Sequence, residues 1–280
     1  MTKTIAFQGD LGAYSHEACL NARPGYDVLP CRTFEAVIRA VREGKADEAM
    51  LPVENTTYGR VADIHRLLPA SGLHIVDETF VRVRIALLAV PGVTLDQVKH
   101  VRAHLVLLPQ CRAFLEKHGI TSEAATDSAG AAAEIAESGD KSVAVLASAF
   151  AGQIYGLDVL AEGIEDEGHN TTRFLIMSPK ADPARRADAM ITSFVFRVRN
   201  IPAALYKAMG GFATNGVNMT KLESYMVGGA FTATQFYADI DGHPDDPAVR
   251  RAMEELDYFT DEIKILGVYP SSEIRQQIPG

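Results

Sequence analysis

In the first part of the chain, apolar runs of strand length alternate with segments whose apolar residues recur at helical spacing. TIAFQG near the N-terminus and EAMLPVEN at residues 48–55 are typical of buried strands. Between them, TFEAVIRAVREG places its apolar side chains on one helical face, with Thr33 as the predicted N-cap and Gly44 as the stop. This alternation favours open, largely parallel α/β sheets.

Two longer segments predict crossings between sheets. The extended stretch at residues 78–90 is predicted to carry the chain from one sheet to another, and residues 155–172 to bring it back. Between the crossings we expect helices over PQCRAFLEKHG, ending at Gly119, and over DSAGAAAEIAESG. Two lobes joined by two crossovers enclose a cleft, where ligands commonly bind.

The pattern changes after the polar segment KADPARRADA at residues 180–189, which is predicted to be a linker. The elements that follow have the order βαββαβ, which is typical of a small ferredoxin-like unit. The predicted strands are ITSFVFRVRN, VNMTKLESYMV, TATQFYADIDG and IKILGVYP, and the predicted helices are PAALYKAMGGFATNG and DPAVRRAMEELDYFT. A second domain therefore begins near residue 190.

Composition narrows the class of protein. With 280 residues, 47% of them hydrophobic, the chain can bury more than one core. A formal net charge of −9 disfavours nucleic acid and anionic membrane surfaces as partners. Cys19, Cys31 and Cys111 have no metal-like spacing and are interpreted as reduced thiols. The stretch MTKTIAFQGD has no signal-peptide pattern, so we expect a cytoplasmic protein.

Two polar segments follow predicted strands. The glycines of QGDLGAYSHEA match neither of the phosphate-binding motifs GxGxxG and GxxxxGKS. In this segment Ser15 either caps a helix or presents its hydroxyl to a ligand at the helix N-terminus. PVENTTYG offers an acid, an amide and two hydroxyls where a strand ends, which is where ligands bind in open α/β sheets: Glu54, Asn55, Thr56 and Thr57. The alternative there is an Asx turn closed by Gly59.

Other polar residues are less specific. Gln110 lies on the opening turn of a predicted helix and donates either to a ligand oxygen or to solvent, whereas His104 and His169 are interpreted as structural. In HNTTRFLIMSP, Arg173 stands at the start of an apolar strand. Hydroxyls and amides with one arginine suit an enzyme that holds an anion and stabilises a leaving group. They suit a binding protein equally well.

The motifs FQGDLGAYSHEA, PVENTTYG and NTTRFLI, followed by ALYKAM, NGVNMTKLES and GVYP, occur in an order that resembles monofunctional prephenate dehydratases with a C-terminal ACT regulatory domain. The resemblance implies an α/β fold with a two-lobed, periplasmic-binding-protein-like catalytic domain and a ferredoxin-like βαββαβ ACT domain. The implied ranges are 1–180 for the catalytic domain, with lobes of roughly 1–78 plus 160–180 and 79–159, and 190–272 for the ACT domain.

The resemblance implies conversion of prephenate to phenylpyruvate, water and CO2 in L-phenylalanine biosynthesis, without metal or other cofactor. Thr172 would be the proton donor or hydrogen-bond donor to the leaving hydroxyl, and Arg173 would hold a carboxylate. The implied catalytic shell is completed by Asn55, Thr56 and Gln110, and the implied substrate-binding residues also include Ser15, Glu54 and Phe174.

The resemblance also implies feedback regulation by phenylalanine, in a homodimer or homotetramer paired through ACT domains. The implied effector-binding residues are Ala204, Leu205, Asn218, Met219 and Ser224. The chain departs from the family pattern in three places: AHLVLLPQC replaces the SHPQ…QC stretch, AAL replaces GAL at Ala203, and ESYM replaces ESRP.

Two alternatives stay open. An arogenate dehydratase would act on the aminated analogue of the same ring, and the sequence does not distinguish the two substrates. A two-lobed ligand sensor without catalysis would have the same fold, because fold does not determine function.

Overall fold

The computed structural model describes residues 2–199, 201–226 and 233–277. The chain forms two compact units, of which the first comprises Met1–Val61 and Thr79–Phe174 and the second Ala62–Glu78 and Leu175–Gly280. The domain ranges implied by the sequence stay predictions. Among the described residues, no helix combines the length and apolar character needed to cross a membrane.

The strands up to residue 178 are β1 (Thr4–Gln8), β2 (Asp27–Cys31), β3 (Glu48–Asn55), β4 (Gly59–Arg60), β5 (His74–Arg82), β6 (Ala86–Ala89), β7 (His100–His104), β8 (Thr121–Ala125), β9 (Val143–Ala147), β10 (Asp158–Glu162) and β11 (Thr171–Ser178). The α-helices are α1 (Tyr14–Ala22), α2 (Phe34–Arg42), α3 (Ala62–Leu67), α4 (Arg112–His118), α5 (Ser128–Ser138) and α6 (Ala149–Tyr155). Short 3₁₀ turns occur at Leu68–Ala70, Leu95–Gln97 and Leu108–Cys111.

The rest of the described chain contains the strands β12 (Met190–Val198), β13 (Met219–Met226), β14 (Ala233–Asp241) and β15 (Thr260–Pro270). Its helices are α7 (Ala204–Thr214), α8 (Pro247–Phe259) and the short α9 (Ile274–Gln277). Three predicted strands each have an end residue outside the described residues, namely Asn200, Val227 and Thr232.

The first unit has two lobes, each built on a sheet. In the first lobe β1 pairs in parallel with β2 and β3, and β4 folds back antiparallel on β3. In the second lobe the strand order is β10-β6-β9-β7-β8, with parallel pairing around β7 and antiparallel pairing around β6. The sheets are therefore mixed, not largely parallel as the sequence suggested. The two predicted crossings are confirmed, since β5 leads to β6 and β10 leads to β11.

Local signals in the sequence account for several helix ends. The Thr33 hydroxyl accepts from the backbone N–H of Ala36 at 3.2 Å and begins α2. Gly119 ends α4 with a left-handed backbone, which glycine adopts without a Cβ penalty. The predicted cap at Ser15 is wrong: α1 begins at Tyr14, and its N-cap Ala13 has no side-chain cap bond.

In the second unit β13, β14, β12 and β15 lie side by side in that order and pair antiparallel with one another. One face carries a core that includes Phe194, Phe196 and Phe236, packed with residues of α7 and α8. The elements from β12 to β15 follow the order βαββαβ. Gly267 of β15 pairs in parallel with Ile75 of β5, and an added Cβ at Gly267 would come within 2.5 Å of the Ile75 Cβ.

Candidate active site

The polar residues after β3 and before β11 form one hydrogen-bonded cluster. Backbone bonds join the segments, since the N–H of Thr56 donates to the carbonyl oxygen of Thr171 at 2.9 Å. The Thr56 hydroxyl donates to the carbonyl oxygen of His169 at 3.0 Å and accepts from the N–H of Thr171 at 2.9 Å. Thr56 thus ties the two segments together, and its predicted catalytic contact stays a prediction.

Asn55 is oriented by backbone groups. Its Oδ1 accepts from the N–H groups of Thr57 and Tyr58, at 2.9 and 3.0 Å. These bonds form the Asx turn considered from the sequence, and they fix which end of the amide is oxygen. The Nδ2 group therefore faces the other way, where it donates to Oγ1 of Thr172 at 2.9 Å and to Oδ1 of Asn170 at 2.6 Å. Asn55 therefore forms the Asx turn and also belongs to the polar cluster.

The chain of bonds continues into the second lobe. Asn170 donates from Nδ2 to Oε1 of Gln110 at 2.5 Å, and Gln110 donates from Nε2 to the carbonyl oxygen of Val106 at 2.8 Å. The Tyr58 hydroxyl donates to the same carbonyl at 2.8 Å. Two independent bonds therefore link the cluster to Val106, and Gln110 belongs to the cluster and not only to the solvent-facing surface.

The predicted anion-binding residue lies beside an acid of the protein. Nη1 of Arg173 donates to Oε1 of Glu54 at 2.7 Å, and Arg173 is only 2% exposed. In this arrangement Arg173 holds Glu54 at the end of β3, and direct binding of a substrate carboxylate stays a prediction. The next residue, Phe174, is also 2% exposed and forms part of the core.

A cavity of about 270 Å³ lies between the two lobes of the first unit. The first lobe contributes residues around Gly12 and Ser15, and the second contributes residues around His104, Val106 and Asp127. Val106 belongs to this cavity wall and also accepts the two bonds from the polar cluster. The cavity and the cluster are therefore neighbours.

Ser15 lies in the first turn of α1, where it lines this cavity and is 9% exposed. It does not cap the helix, and its predicted contact with a ligand stays a prediction. The helix α5 also begins at the cavity wall, with Asp127 as its cap. N–H groups at helix N-termini favour negatively charged ligands.

The loop before α1 is attached to the second lobe. The Ser148 hydroxyl donates to the carbonyl oxygen of Gly12 at 3.0 Å, and the Tyr155 hydroxyl donates to that of Leu11 at 2.7 Å. Gly12 has a φ of +89°, and an added Cβ would lie 2.9 Å from Cα of Ala151. Only glycine therefore fits this close approach at the cavity wall.

Titratable groups near the cavity are perturbed by their surroundings. The pKa of Asp10 is raised, chiefly by its hydrogen bond with Asp127 and then by burial. Burial lowers the pKa of His16, whose Nδ1 accepts from the N–H of Gly12 at 3.0 Å and whose ring stacks on Phe7. His16 is thus held neutral by its contacts.

The remaining candidates have structural partners or buried positions. Cys111 is buried, and burial raises the pKa of its thiol to about 12. His104 lines the cavity, whereas His169 is exposed with its Nε2 3.5 Å from Glu167. Within the described ranges, no three His, Cys, Asp or Glu side chains are placed to hold a metal ion.

The regulatory residues implied by the resemblance lie in the second unit. Ala204 and Leu205 begin α7, and Met219 and Ser224 lie on β13. Asn218 precedes β13, and its Nδ2 donates to Asp241 at 2.8 Å. Ala203, which stands where the family pattern has glycine, has a φ of 61° and is the one non-glycine residue with positive φ in the described chain. The glycine preference there has a conformational reason.

Sequence reasoning missed Asn170, which is 2% exposed and joins Asn55 to Gln110. Its place in NTTRF was visible, but its partner Asn55 is 115 positions away in the chain. It also missed Asp127 as a wall of the cavity. The sequence predicted a helix over DSAGAAAEIAESG but indicated neither the cap at Asp127 nor the cavity that this residue lines.

Comparisons with known proteins agree on one family. The family model described as prephenate dehydratase matches residues 5–182. A bifunctional N-acyl-homoserine lactone acylase/prephenate dehydratase of Komagataeibacter europaeus is 48% identical over 276 residues, which cover 98% of each chain. Arogenate dehydratase/prephenate dehydratase 1 of Arabidopsis thaliana is 38% identical, over 97% of this chain and 73% of its own.

A solved structure is also similar. The crystal structure of prephenate dehydratase in complex with L-Phe from Arthrobacter aurescens superposes with a TM-score of 0.87 and is 29% identical. The match covers 96% of this chain and 90% of that chain. It extends well beyond the residues matched by the family model and so includes the second unit.

Proposed function

Because the chain belongs to the prephenate dehydratase family, we propose that it converts prephenate to phenylpyruvate, water and CO2. The observation that carries the proposal is the direction of the hydrogen bond between Asn55 and Thr172. Thr172 accepts from Asn55 Nδ2, so its own proton is left to point elsewhere. A hydroxyl aimed in this way donates to the ring hydroxyl of the substrate as that group departs.

The reaction balances with one proton. The bond between the ring and its hydroxyl breaks, the oxygen takes a proton and leaves as water, and the ring carboxylate leaves as CO2. The electron pair of the broken carbon–carbon bond enters the ring, which becomes aromatic. Thr172 donates to the leaving oxygen, and solvent restores its proton.

A threonine hydroxyl is a weak acid, so positioning and charge stabilisation carry most of this catalysis. Burial of Asn170 and the backbone bonds to Asn55 support a preorganised cluster. The substrate is a dianion, and the N-terminus of α1 at the cavity, together with the Ser15 hydroxyl, supplies donors for a carboxylate, whereas the first N–H groups of α5 already donate to Asp127. Arg173 and Glu54 support the end of β3 next to these groups.

The second unit is proposed to be an ACT domain that binds phenylalanine and mediates homo-oligomer formation. Its βαββαβ order and the L-Phe complex of the Arthrobacter aurescens protein support this assignment. Ala204, Leu205, Asn218, Met219 and Ser224 are the proposed effector-binding residues. Inhibition requires that phenylalanine bind two states of the protein with different affinity.

The test follows phenylpyruvate by its absorbance in alkali after incubation with prephenate at neutral pH, with and without phenylalanine. Thr172→Ala protein serves as the control for spontaneous aromatisation. Product with the wild type and almost none with the variant supports the proposal, and equal product from both contradicts the role of Thr172. Arogenate, measured in parallel, decides between the two dehydratase substrates.

A second activity is favoured by the 48% identical relative, which is described as both an acylase and a prephenate dehydratase. We propose hydrolysis of the amide bond of N-acyl-homoserine lactones as this second candidate. Release of homoserine lactone from an acylated lactone, measured by mass spectrometry, tests it directly. No release above a protein-free control rules the second activity out for the acyl chains used.

A further inference from the structure

We propose that Asn170 is a positioning residue that orients both Asn55 and Gln110. It thereby sets the direction of the Thr172 hydroxyl and the position of the cavity wall at Val106. The inference deepens the proposed dehydratase function and rests on it for its kinetic consequences. The arrangement of hydrogen bonds that it describes can be tested separately.

Asn170 directs the NH2 group of Asn55. An amide NH2 group has two hydrogens, and those of Asn55 go to Oδ1 of Asn170 and Oγ1 of Thr172. Since Asn170 holds one hydrogen at 2.6 Å, the other is directed at Thr172. Without Asn170, the Asn55 amide would keep its backbone bonds but would lose the contact that fixes its tilt.

Asn170 also sets the orientation of the Gln110 amide. Because Oδ1 of Asn170 accepts from Asn55, its other end is the NH2 group, which donates to Oε1 of Gln110. Gln110 must then present its own NH2 group to the carbonyl oxygen of Val106. The orientation of each amide follows from the one before it, back to the N–H groups of Thr57 and Tyr58.

Asn170 is itself held in place by burial and by a backbone hydrogen bond. Asn170 is 2% exposed, and its carbonyl oxygen accepts from the N–H of Val83 at 2.8 Å. A buried amide with all these contacts holds its neighbours in one geometry and excludes competing water. Asn170 therefore connects the proposed donor Thr172 with Val106 of the cavity wall.

Asn170→Asp is the sharpest test, because it keeps the shape and replaces the donor by an oxygen. The ionised carboxylate still accepts from Asn55 but repels Oε1 of Gln110, so either Gln110 turns over or the contact opens. We expect kcat at neutral pH to fall by about 10-fold to 100-fold, with a smaller change in KM. Protonation restores a donor, so the ratio of variant to wild-type kcat should rise as the pH falls.

The thermal midpoint provides a readout that does not depend on turnover. Repulsion from Gln110 raises the pKa of the new carboxyl, so its protonated form fits the folded state. The variant should therefore approach the wild-type midpoint at acidic pH and fall below it as the pH rises through that pKa. Asn21→Asp, which adds an exposed carboxylate near the C-terminus of α1, should show a much smaller convergence, because solvent screens its interaction with the helix end.

The outcomes separate the two proposals. A wild type without turnover, together with midpoints that converge at low pH, contradicts the dehydratase function but supports the orienting role of Asn170. Active wild type with a variant ratio that is the same at every pH, and midpoints that do not converge, overturns that role. If Asn170→Asp does not fold, Asn170→Ala and Gln110→Ala are measured singly and together. A fold-loss in kcat for the double variant that equals the product of the two single losses overturns the proposal.

Discussion

The polar cluster around Thr172 and the cavity around Ser15 lie side by side but are built differently. In the cluster, neutral amides and hydroxyls bond to one another in a fixed order of donors and acceptors. The cavity is instead lined by Ser15 in the first turn of α1 and by Asp127, whose carboxylate caps α5. For the proposed reaction we infer a division of labour in which the cluster acts on the leaving group and the cavity binds the anion.

The largest expected effect separates these roles at Thr172. Thr172→Val keeps the size of the side chain but removes the hydroxyl, so kcat should fall by about 10²-fold to 10³-fold with a smaller change in KM. Thr172→Ser, which keeps the hydroxyl, should retain most of the activity. Steady-state kinetics with prephenate measures both variants. Equal losses in Thr172→Val and Thr172→Ser would show that the methyl group matters and not the hydroxyl.

The next effect concerns the shape of the cavity wall at Gly12. Gly12→Ala combines a left-handed backbone with a Cβ only 2.9 Å from Cα of Ala151. The free energy of unfolding should therefore fall by about 2 kcal/mol or more. The control is Gly44→Ala, where φ is +71° but nothing lies within 4 Å of the added Cβ. Denaturant unfolding measures both variants. A cost at Gly12 no larger than at Gly44 would mean that the loop moves aside without penalty.

A smaller effect is expected from Ser15→Ala, which removes a donor from the cavity. KM for prephenate should rise by about 10-fold, the equivalent of one hydrogen bond, while kcat changes little. Ser122→Ala, at an exposed position of β8, is the matched control. If the loss at Ser15 appeared in kcat instead, the proposed separation between binding cavity and catalytic cluster would be wrong.

The smallest effect concerns the carboxyl pair at the edge of the cavity. The raised pKa of Asp10 means that its protonated form is favoured in the folded state, so this contribution to stability is present at acidic pH and lost as the pH rises through that pKa. Arg32 opposes the shift, while burial, and after it the charges of both acids, raises the pKa of Tyr155.

Asp10→Asn keeps a donor toward Asp127 at every pH, so the thermal midpoint of this variant should decline less between acidic and neutral pH than that of the wild type. Differential scanning calorimetry across that range measures the difference. Parallel pH curves for the two proteins would show that Asp10 and Asp127 do not share a proton.

Local sequence signals predicted some elements of the fold correctly and the cap of α1 incorrectly. Signals within a few residues worked well: Thr33 begins α2, Gly119 ends α4, and EAMLPVEN forms β3 over the predicted residues. Such caps and patterns involve atoms that are close along the chain. The same logic failed at Ser15, because the N-cap is Ala13, two residues earlier, which places Ser15 within the first turn of α1 at the cavity wall.

The sequence by itself determined the family, the alternation of strands and helices, and the polar segments that end β3 and begin β11. Only the tertiary structure decided that Asn55 faces Thr172, 117 positions away, through a shared contact with Asn170. It also placed Arg173 against Glu54, and Ser15 and Asp127 in the wall of the same cavity. These pairings depend on how β11 lies beside β3 and how the two lobes meet, and no local pattern encodes either.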